Sequence, residues 1–351
     1  MRSEQGKQKK PIKMSTALLI LAVIAAAVVL AVVIVIGMSG SEENKNAEKQ
    51  TQPTQQVIYG DEELGIDATV DEQLQNYRNV VLFGIDAEDL ESETGHRSDA
   101  IIVLSMNKET DEVKMFSVYR DTYLKIDDEH GLDKINHAYA YGGMEQSIKA
   151  LNQNLDLNIR EGMALTWKAV ADLVDSLDGI EVDIQESERT YMNGSLSAEN
   201  QIKSAGKQTI NGDQAVLYAR IRKDSARGDY RRNERMKIIL SAALNKAKTL
   251  PAGELMDIMD DTLEEVTTNM SYNRMTDTLM DIASYDLTNS VGWPYKTSGW
   301  THNSIWYGVP ITLESNVKKL HKRFFGQDNY DPTDFVKKVS GQIEAESGYS
   351  N

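Results

Sequence analysis

The most restrictive feature of this chain is an uncharged segment close to its start. Residues 15–38 are 24 consecutive residues without a charged side chain, and Ala, Val, Ile and Leu dominate them. About 20 such residues are enough to cross the hydrocarbon layer of a bilayer as a helix. We therefore expect residues 15–38 to form one transmembrane helix.

The charges that flank this segment predict its orientation. Residues 1–14 carry five basic side chains and one acidic side chain, Glu4. The positive-inside rule keeps such a tail in the cytoplasm and places the rest of the chain outside the cell. A cleaved signal peptide is the alternative, but its apolar region usually has only about 7–15 residues. The longer run favours an uncleaved, single-pass anchor in the cell membrane.

The remainder of the chain is acidic and contains no cysteine. Beyond residue 38, 33 basic residues face 53 acidic ones, a net charge of −20 within a whole-chain charge of −16. A surface of that sign disfavours nucleic acid as a partner. The absence of cysteine excludes disulfides, thiolate zinc sites and cysteine nucleophiles. The chemistry of this chain must therefore rest on carboxylates, arginines and hydroxyls.

Hydrophobic patterns predict a layered α/β domain outside the membrane. Unbroken apolar runs predict buried strands, and apolar stripes at helical spacing predict helices between and after them. We expect a mixed central sheet with helices on both faces, a three-layer αβα arrangement. The predicted segments are a polar tether at 39–75, a catalytic domain at 76–250, a helical and aromatic extension at 251–330, and a flexible tail at 331–351.

Four charged residues follow or precede the first three predicted strands. Strand one ends at Asp86, strand two begins at Asp99, and strand three leads to Arg120 and Asp121. If the three strands are antiparallel neighbours, all four side chains emerge at one end of the sheet. Two carboxylates there could share a hard cation, Mg²⁺ or Mn²⁺. The alternative, that these aspartates only cap turns, stays open.

A second group of charges is more specific. Residues 220–235 contain six of the fourteen arginines of the chain, and with Lys223 they make seven basic residues against three acidic ones. Arg232 and Arg235 precede an apolar helical stripe by one turn and should point towards the sheet. A guanidinium suits phosphate oxygens. A structural network of salt bridges is the alternative, and it explains Arg227 and Arg231 better than it explains the others.

Five motifs in order resemble those of the LytR-CpsA-Psr family, membrane-anchored enzymes of Gram-positive envelopes. The resemblance covers about residues 78–248, and its motifs are 79–86, 97–99, 117–122, 134–139 with Gly142 and Gly143, and the arginine block 220–235. It implies transfer of an anionic glycopolymer from a polyprenyl-diphosphate carrier to a peptidoglycan hydroxyl. The sequence leaves open whether the polymer is a teichoic acid, a capsule polysaccharide or a secondary wall polysaccharide.

The resemblance also implies roles for individual residues. Asp86 and Asp99 match the metal-binding aspartates, which implies magnesium as the cofactor. The positions that match the diphosphate-binding arginines or further motif positions are Arg97, Arg120, Asp121, Arg220, Arg222, Asp229, Arg232 and Arg235. Tyr119 stands where the family usually has Pro, and Met236 stands where Gln is common.

These residues suit a transfer reaction without a protein nucleophile. Mg²⁺ and arginines stabilise the charge of a diphosphate and of its leaving oxygen. We expect a sugar hydroxyl to attack in line and polyprenyl phosphate to leave, with Asp121 or Asp229 accepting the proton. Two alternatives remain: a polyprenyl-diphosphate hydrolase, and a non-catalytic lipid-diphosphate-binding regulator of envelope assembly.

Three tryptophans lie close together near the end of the chain. Trp293, Trp300 and Trp306 fall within fourteen residues, beside Tyr295 and Tyr307. They could form a surface on which glycans stack, or a small β-hairpin that aromatic pairs hold together. The sequence does not choose between the two.

Overall fold

The computed structural model of the chain describes residues 59–87, 94–110, 112–221 and 291–350, with short stretches and single residues between 235 and 274. The predicted anchor at 15–38 lies outside the described residues. Among the helices in the described ranges, none combines the length and the apolar character needed to cross a bilayer.

A mixed sheet forms the centre of the described structure. Its strands are β1 (Tyr77–Ile85), β2 (Ser98–Asn107), β3 (Val113–Val118), β6 (Glu161–Thr166), β9 (Thr267–Thr268) and β10 (Val291–Trp293). Across the sheet the order is β10-β3-β2-β1-β6-β9. β1 is antiparallel to β2 and parallel to β6, and β2 is antiparallel to β3. The predicted hairpin of the second and third strands is therefore confirmed.

Helices cover both faces of this sheet. Side chains alternate along a strand, so Val80 and Leu82 of β1 enter one core while Val81 and Phe83 enter the other. The first core also receives α3 (Trp167–Ser176) and α5 (Gly212–Arg220), and the second receives α2 (His137–Leu155), α6 (Leu313–Phe325) and α7 (Asp334–Ser347). The predicted mixed sheet with helices is confirmed.

The described structure also contains two-stranded ladders and short helices outside the central sheet. The two-stranded ladders are β4 (Tyr123–Asp127) with β5 (Gly131–Lys134), β7 (Ile180–Ile184) with β8 (Gly206–Ile210), and β11 (Thr297–His302) with β12 (Ile305–Pro310). The short helices are α1 (Ala68–Gln73), α4 (Glu186–Asn193) and a 3-10 turn at Ala198–Asn200. The β4–β5 and β11–β12 ladders lie beside the end of β3, as described below.

Two predicted boundaries are wrong. The chain from residue 331 is not a flexible tail, because α7 buries Val336, Val339 and Ile343 in the second core. The end of the predicted tether, near residue 75, is also folded. Leu64, Val70 and Leu74 there are at most 2% exposed. In both segments the apolar residues are few and widely spaced, so their packing depends on surfaces that other parts of the chain supply.

Candidate functional site

Three neighbouring strands bring the predicted acidic and basic residues to one edge of the sheet. β1 ends at Ile85, just before Asp86, and its partner β2 begins with Ser98 and Asp99. β3 runs antiparallel to β2 and ends at Val118, two residues before Arg120. The backbone N–H of Asp86 donates to the carbonyl of Arg97 at 3.0 Å, which ties the two loops together at this edge.

A β-bulge sets the position of Asp99. Gly84 pairs with Ala100 and Ile85 pairs with Ser98, so Asp99 is an extra residue in β2 without a partner in β1. Bulges of this kind redirect a side chain and are frequent beside active sites. Gly84 is needed next to the bulge, because a Cβ there would lie 2.9 Å from the Cβ of Ala100. The Asp99 residue is only 4% exposed.

Arg120 is the centre of the ion pairs at this edge. Its Nη1 lies 2.5 Å from Oδ1 of Asp99, and its Nε lies 3.3 Å from Oδ2 of Asp121. Burial alone would lower the pKa of Arg120, but the two carboxylates outweigh it and raise the pKa. The guanidinium therefore stays charged and is held over the start of β2 by two acidic partners.

Lys134 is a member of this cluster that sequence reasoning did not single out. Its Nζ lies 2.9 Å from Oδ1 of Asp121, and both side chains are mostly buried. The β4–β5 hairpin places Lys134 there, because Lys134 pairs with Tyr123, two residues after Asp121. Lys134 opens one of the five motifs, so its position in that motif was the available signal.

Arg220 approaches the same edge from the other layer. It is the last residue of α5, and its Nη2 lies 3.6 Å from Oδ1 of Asp86. Its guanidinium carbon also lies 5.5 Å from the ring centre of Trp167, which begins α3 directly after β6. About half of each side chain in the Arg220–Asp86 pair is exposed, so both groups are accessible to a ligand.

Arg235 lies in a different environment. Its Nε donates to Oε1 of Glu188 at 2.8 Å, and its Nη1 donates to the carbonyl of Ile221 at 3.1 Å. Both charged side chains of the pair are at most 2% exposed. Its guanidinium carbon is also 5.8 Å from the ring centre of Tyr218. These contacts indicate a structural role for Arg235, whereas the sequence assigned Arg235 to diphosphate binding and favoured a structural role for Arg227 and Arg231 instead. The prediction for Arg235 is not supported, because its guanidinium is buried against Glu188.

Of the remaining predicted site residues, one lies within the described residues and three lie outside them. Arg97 is exposed, directly before Ser98. Arg222, Asp229 and Arg232 lie outside the described residues. The described structure thus brings together Asp86, Asp99, Arg120, Asp121 and Arg220, and adds Lys134.

The donor atoms at this edge suit a hard cation better than a softer one. Asp86, directly after β1, and Asp99, near the start of β2, offer carboxylate oxygens at the ends of adjacent strands. Near them, the buried Ser98 Oγ and Asn136 Oδ1 have no hydrogen-bond partner. In the described part of the chain, no three His, Cys, Asp or Glu residues are grouped as a complete metal site. Mg²⁺ is commonly held by one or two carboxylates, with water and substrate phosphates completing the shell, so this donor set fits magnesium.

Comparison with known proteins gives consistent matches. The model of the LytR_cpsA_psr family matches residues 32–322. A polyisoprenyl-teichoic acid–peptidoglycan teichoic acid transferase, TagU of Oceanobacillus iheyensis, is 30% identical over 257 residues, which are 68% of this chain and 72% of that protein. TagT of Bacillus subtilis, which bears the same enzyme name, is 30% identical over 227 residues, 63% of this chain and 70% of that protein.

Solved structures share the fold. The crystal structure of gbs0355 from Streptococcus agalactiae matches with a TM-score of 0.57 and covers 80% of this chain and 97% of that one. Its sequence identity is 22%, so the likeness concerns the architecture of the sheet and its helices.

Proposed function

This chain belongs to the LytR_cpsA_psr family, and on that premise we propose that it transfers an anionic glycopolymer from a polyprenyl-diphosphate carrier to a hydroxyl of peptidoglycan. The observation that carries the proposal is the cluster of Arg120, Lys134 and Arg220 with the acidic residues Asp86, Asp99 and Asp121 at one edge of the sheet.

The charge distribution supports a diphosphate as the group that is bound. The chain as a whole repels anions, since its net charge is −16. At the sheet edge three cationic side chains converge, and two of them are guanidinium groups that can bind two phosphate oxygens at once. The names of the two relatives support the polymer and the acceptor, because both are teichoic acid transferases that act on a polyisoprenyl-linked donor and peptidoglycan.

Magnesium is part of the proposal. Asp86 and Asp99 would hold it, and the ion would neutralise charge on the bound diphosphate. Arg120 now pairs with Asp99 and Arg220 pairs with Asp86. Each carboxylate therefore already lies beside a guanidinium that can turn to phosphate oxygens. Mn²⁺ has the same preference for oxygen ligands and could replace Mg²⁺.

The residues of the chain position and stabilise the reacting groups. Arg120 and Arg220 would bind the diphosphate and stabilise the charge that develops on the leaving phosphate. Both oxygens of Asp121 are engaged by cations, Oδ1 by Lys134 and Oδ2 by Arg120. These contacts support a positioning role for Asp121. Asp229, the other candidate for the general base, lies outside the described residues.

We also propose that the protein is anchored in the cell membrane by residues 15–38, with residues 1–14 in the cytoplasm. The support is the uncharged length of the segment and the excess of basic residues before it. This placement would hold the site on the side of the membrane where peptidoglycan is found.

Substitution of Arg120 tests the proposed function. Arg120→Ala should lower transfer of radiolabelled polymer from a polyprenyl-diphosphate donor to peptidoglycan by about 100-fold or more, since a lost charge contact to the reacting group costs a few kcal/mol. Arg189→Ala is the matched control. Arg189 pairs with Glu186 within α4 and makes no ion pair with Asp86, Asp99 or Asp121. Its transfer rate should equal that of the wild type.

The products separate the remaining alternatives. Polymer linked to peptidoglycan supports transfer, and free polymer phosphate as the main product would indicate a hydrolase. Tight donor binding without turnover, unchanged by Mg²⁺, would indicate a regulatory binding protein. Normal transfer by Arg120→Ala would refute the site itself.

A further inference from the structure

The β11–β12 hairpin carries a large exposed aromatic side chain directly beside the candidate site. Trp306 is 40% exposed. In the antiparallel register Trp300 faces Tyr307 and Thr301 faces Trp306, so Trp300 and Trp306 project from opposite faces of the hairpin. The two faces have different surroundings, and these decide what each can do.

The Trp300 face is packed against the domain. The Tyr123 ring lies 5.3 Å from the Trp300 ring and 4.8 Å from the Tyr307 ring, both edge to face. The Lys134 Nζ lies 5.7 Å from the centre of the Tyr307 ring. This face therefore fixes the hairpin to β4 and β5. The Trp300 and Tyr307 rings, 5.8 Å apart, also pair across the hairpin itself, as the sequence allowed. Trp293 is fully buried in β10 and belongs to neither face.

The Trp306 face is built around two glycines. Gly299 and Gly308 pair directly across the hairpin, so this part of the face has no side chains. A Cβ on Gly299 would lie 2.8 Å from Nε1 of Trp306, and a Cβ on Gly308 would lie 3.6 Å from its Cη2. The indole thus rests along the backbone of the hairpin, from its pyrrole nitrogen to its benzo ring. It is held in place while much of the residue faces solvent.

This aromatic side chain lies close to Asp121. The Gly308 N–H donates to the Asp121 carbonyl at 2.9 Å, and a β-bridge joins Gly308 to Thr122. A Cβ on Gly308 would lie 3.6 Å from the Asp121 carbonyl oxygen as well as from Cη2 of Trp306. Cη2 of Trp306 and the carbonyl oxygen of Asp121 therefore lie no farther apart than twice 3.6 Å.

The chemistry of the hairpin indicates its ligand. Residues 297–310 contain no Asp, Glu, Lys or Arg, and Thr301, Asn303 and Ser304 supply hydroxyl and amide groups. An aromatic ring attracts the C–H groups on the face of a pyranose, while the hydroxyl and amide groups can bind its rim. A site for an anionic polymer or an anionic lipid surface would need basic residues here.

We propose that Trp306, supported by Gly299 and Gly308, is a stacking platform for an uncharged pyranose ring of the peptidoglycan acceptor strand. The proposal rests on the proposed transferase function, because it assigns the acceptor side of that same site. The hairpin that carries the platform is fixed by the Asp121 carbonyl and by Tyr123. The platform would hold the acceptor strand beside Arg120, Lys134 and Arg220 while leaving these side chains free to bind phosphate.

Binding of defined sugars to the full chain in detergent micelles tests this. The probe is an uncharged β-1,4-linked N-acetylglucosamine tetramer, measured by isothermal titration calorimetry. Trp306→Ala should weaken its binding by about threefold to tenfold, the effect of one aromatic stacking contact. Trp306→Phe, which keeps a smaller ring, should lose less. Gly299→Ala, which displaces the indole without removing it, should also weaken binding.

Ile305→Ala is the matched control. Ile305 is 45% exposed and adjacent to Trp306, but projects from the other face. It should bind the tetramer as the wild type does. Equal losses in Ile305→Ala and Trp306→Ala would overturn the proposal, as would wild-type affinity in Trp306→Ala or no binding by the wild type.

Further arms separate the ligand sources and the two proposals. If Trp306→Ala weakened binding of soluble teichoic acid or of phosphatidylglycerol vesicles instead of the tetramer, the acceptor assignment would be wrong. Arg120→Ala should lower polymer transfer by about 100-fold or more, yet bind the tetramer normally. Loss of transfer in Arg120→Ala with unchanged tetramer binding by Trp306→Ala would therefore refute the platform alone.

Discussion

At the scale of single residues, the two described arginines of the basic block meet different environments. Arg220 is half exposed and lies 3.6 Å from Asp86. Arg235 is 1% exposed and its guanidinium is engaged by Glu188. The difference arises from Glu188, which lies 47 residues before Arg235 in the chain and which α4 brings into contact with it. Composition of the block alone could not distinguish a half-exposed arginine from one that is buried and joins α4 to the end of α5.

Removing Glu188 should show how much the buried pair of Arg235 and Glu188 contributes to the free energy of unfolding. Glu188→Ala leaves the charge of Arg235 buried without its carboxylate partner, and loss of one member of a buried pair typically costs about 3–5 kcal/mol. The side chain of Glu188 also accepts from the backbone N–H of Gln185 at the start of α4. We expect a clear fall in the free energy of unfolding, measured by urea denaturation.

The neighbouring Glu186 provides the comparison. Its carboxylate pairs with Arg189 one turn away on the surface of the same helix. Glu186→Ala should unfold at the urea concentration of the wild type. If Glu188→Ala unfolded there too, Arg235 would have no structural role and its place among phosphate ligands would regain support.

At the scale of elements, the layer that presents Arg220 depends on close contact between two helices. α3 and α5 pack side by side, and a Cβ on Gly212 would overlap the carbonyl of Ala171. The Gly212 N–H also donates to Oδ1 of Asp175 at 2.7 Å. Since Arg220 ends α5, the position of its guanidinium follows from how closely Gly212 lets α5 approach.

Gly212→Ala should therefore destabilise the protein and weaken donor binding together. Overpacking of this kind costs about 1–3 kcal/mol, and a shift of α5 would move Arg220 away from Asp86. Gly341→Ala is the opposite case, because Gly341 lies within α7 with no atom near its Cβ position. There alanine should stabilise the fold by about 0.5–1 kcal/mol. Urea denaturation of both variants measures whether each change lowers or raises the free energy of unfolding. An unchanged free energy of unfolding in Gly212→Ala would show that α3 and α5 can move apart without loss of stability.

Another element departs from the family pattern at the end of β3. Tyr119 stands where the family usually has Pro, and its backbone N–H donates to the carbonyl of Trp293 at 3.0 Å. A proline has no N–H to donate. In this chain the turn that presents Arg120 is therefore tied to β10 by a hydrogen bond. Burial also raises the pKa of Tyr119, so its hydroxyl, which lies against Gly292 of β10, remains neutral.

At the scale of the whole molecule, an acidic chain carries a site where three cationic side chains, Arg120, Lys134 and Arg220, balance three carboxylates. The net charge of −16 repels anionic polymers at long range. Binding must then rely on short-range contacts to Arg120, Lys134 and Arg220. A membrane anchor would compensate for this repulsion, because it keeps the site next to a lipid-linked donor.

The anchor can be tested directly. The full chain should stay with the membrane fraction after an alkaline wash, and a chain that begins at residue 39 should be released. Protease added outside intact protoplasts should digest the chain beyond residue 38 and spare a tag placed before residue 1. A mature protein whose N-terminal sequence begins after the apolar segment would contradict the anchor and indicate a cleaved signal peptide.

Part of the candidate site could be predicted from sequence because the apolar run that indicates a strand is a local property of the chain. Three apolar runs of known direction place Asp86, Asp99 and Arg120 at one sheet edge once they pair as neighbours. The bulge that turns Asp99 inward has no such local signal, since it is an irregularity in the register between two strands. Lys134 was not predicted either. Its position in one of the motifs was a signal, but its contact with Asp121 depends on the β4–β5 pairing.

The sequence by itself determined the mixed sheet, the hairpin of its second and third strands and the family, since hydrophobic periodicity and short motifs are local properties. Tertiary structure decided which arginine is buried, that residues 334–347 form a packed helix, and which tryptophan faces solvent. These outcomes depend on contacts between residues distant in the chain. The free energy of burying a side chain is set by the surface it meets, and that surface exists only after folding.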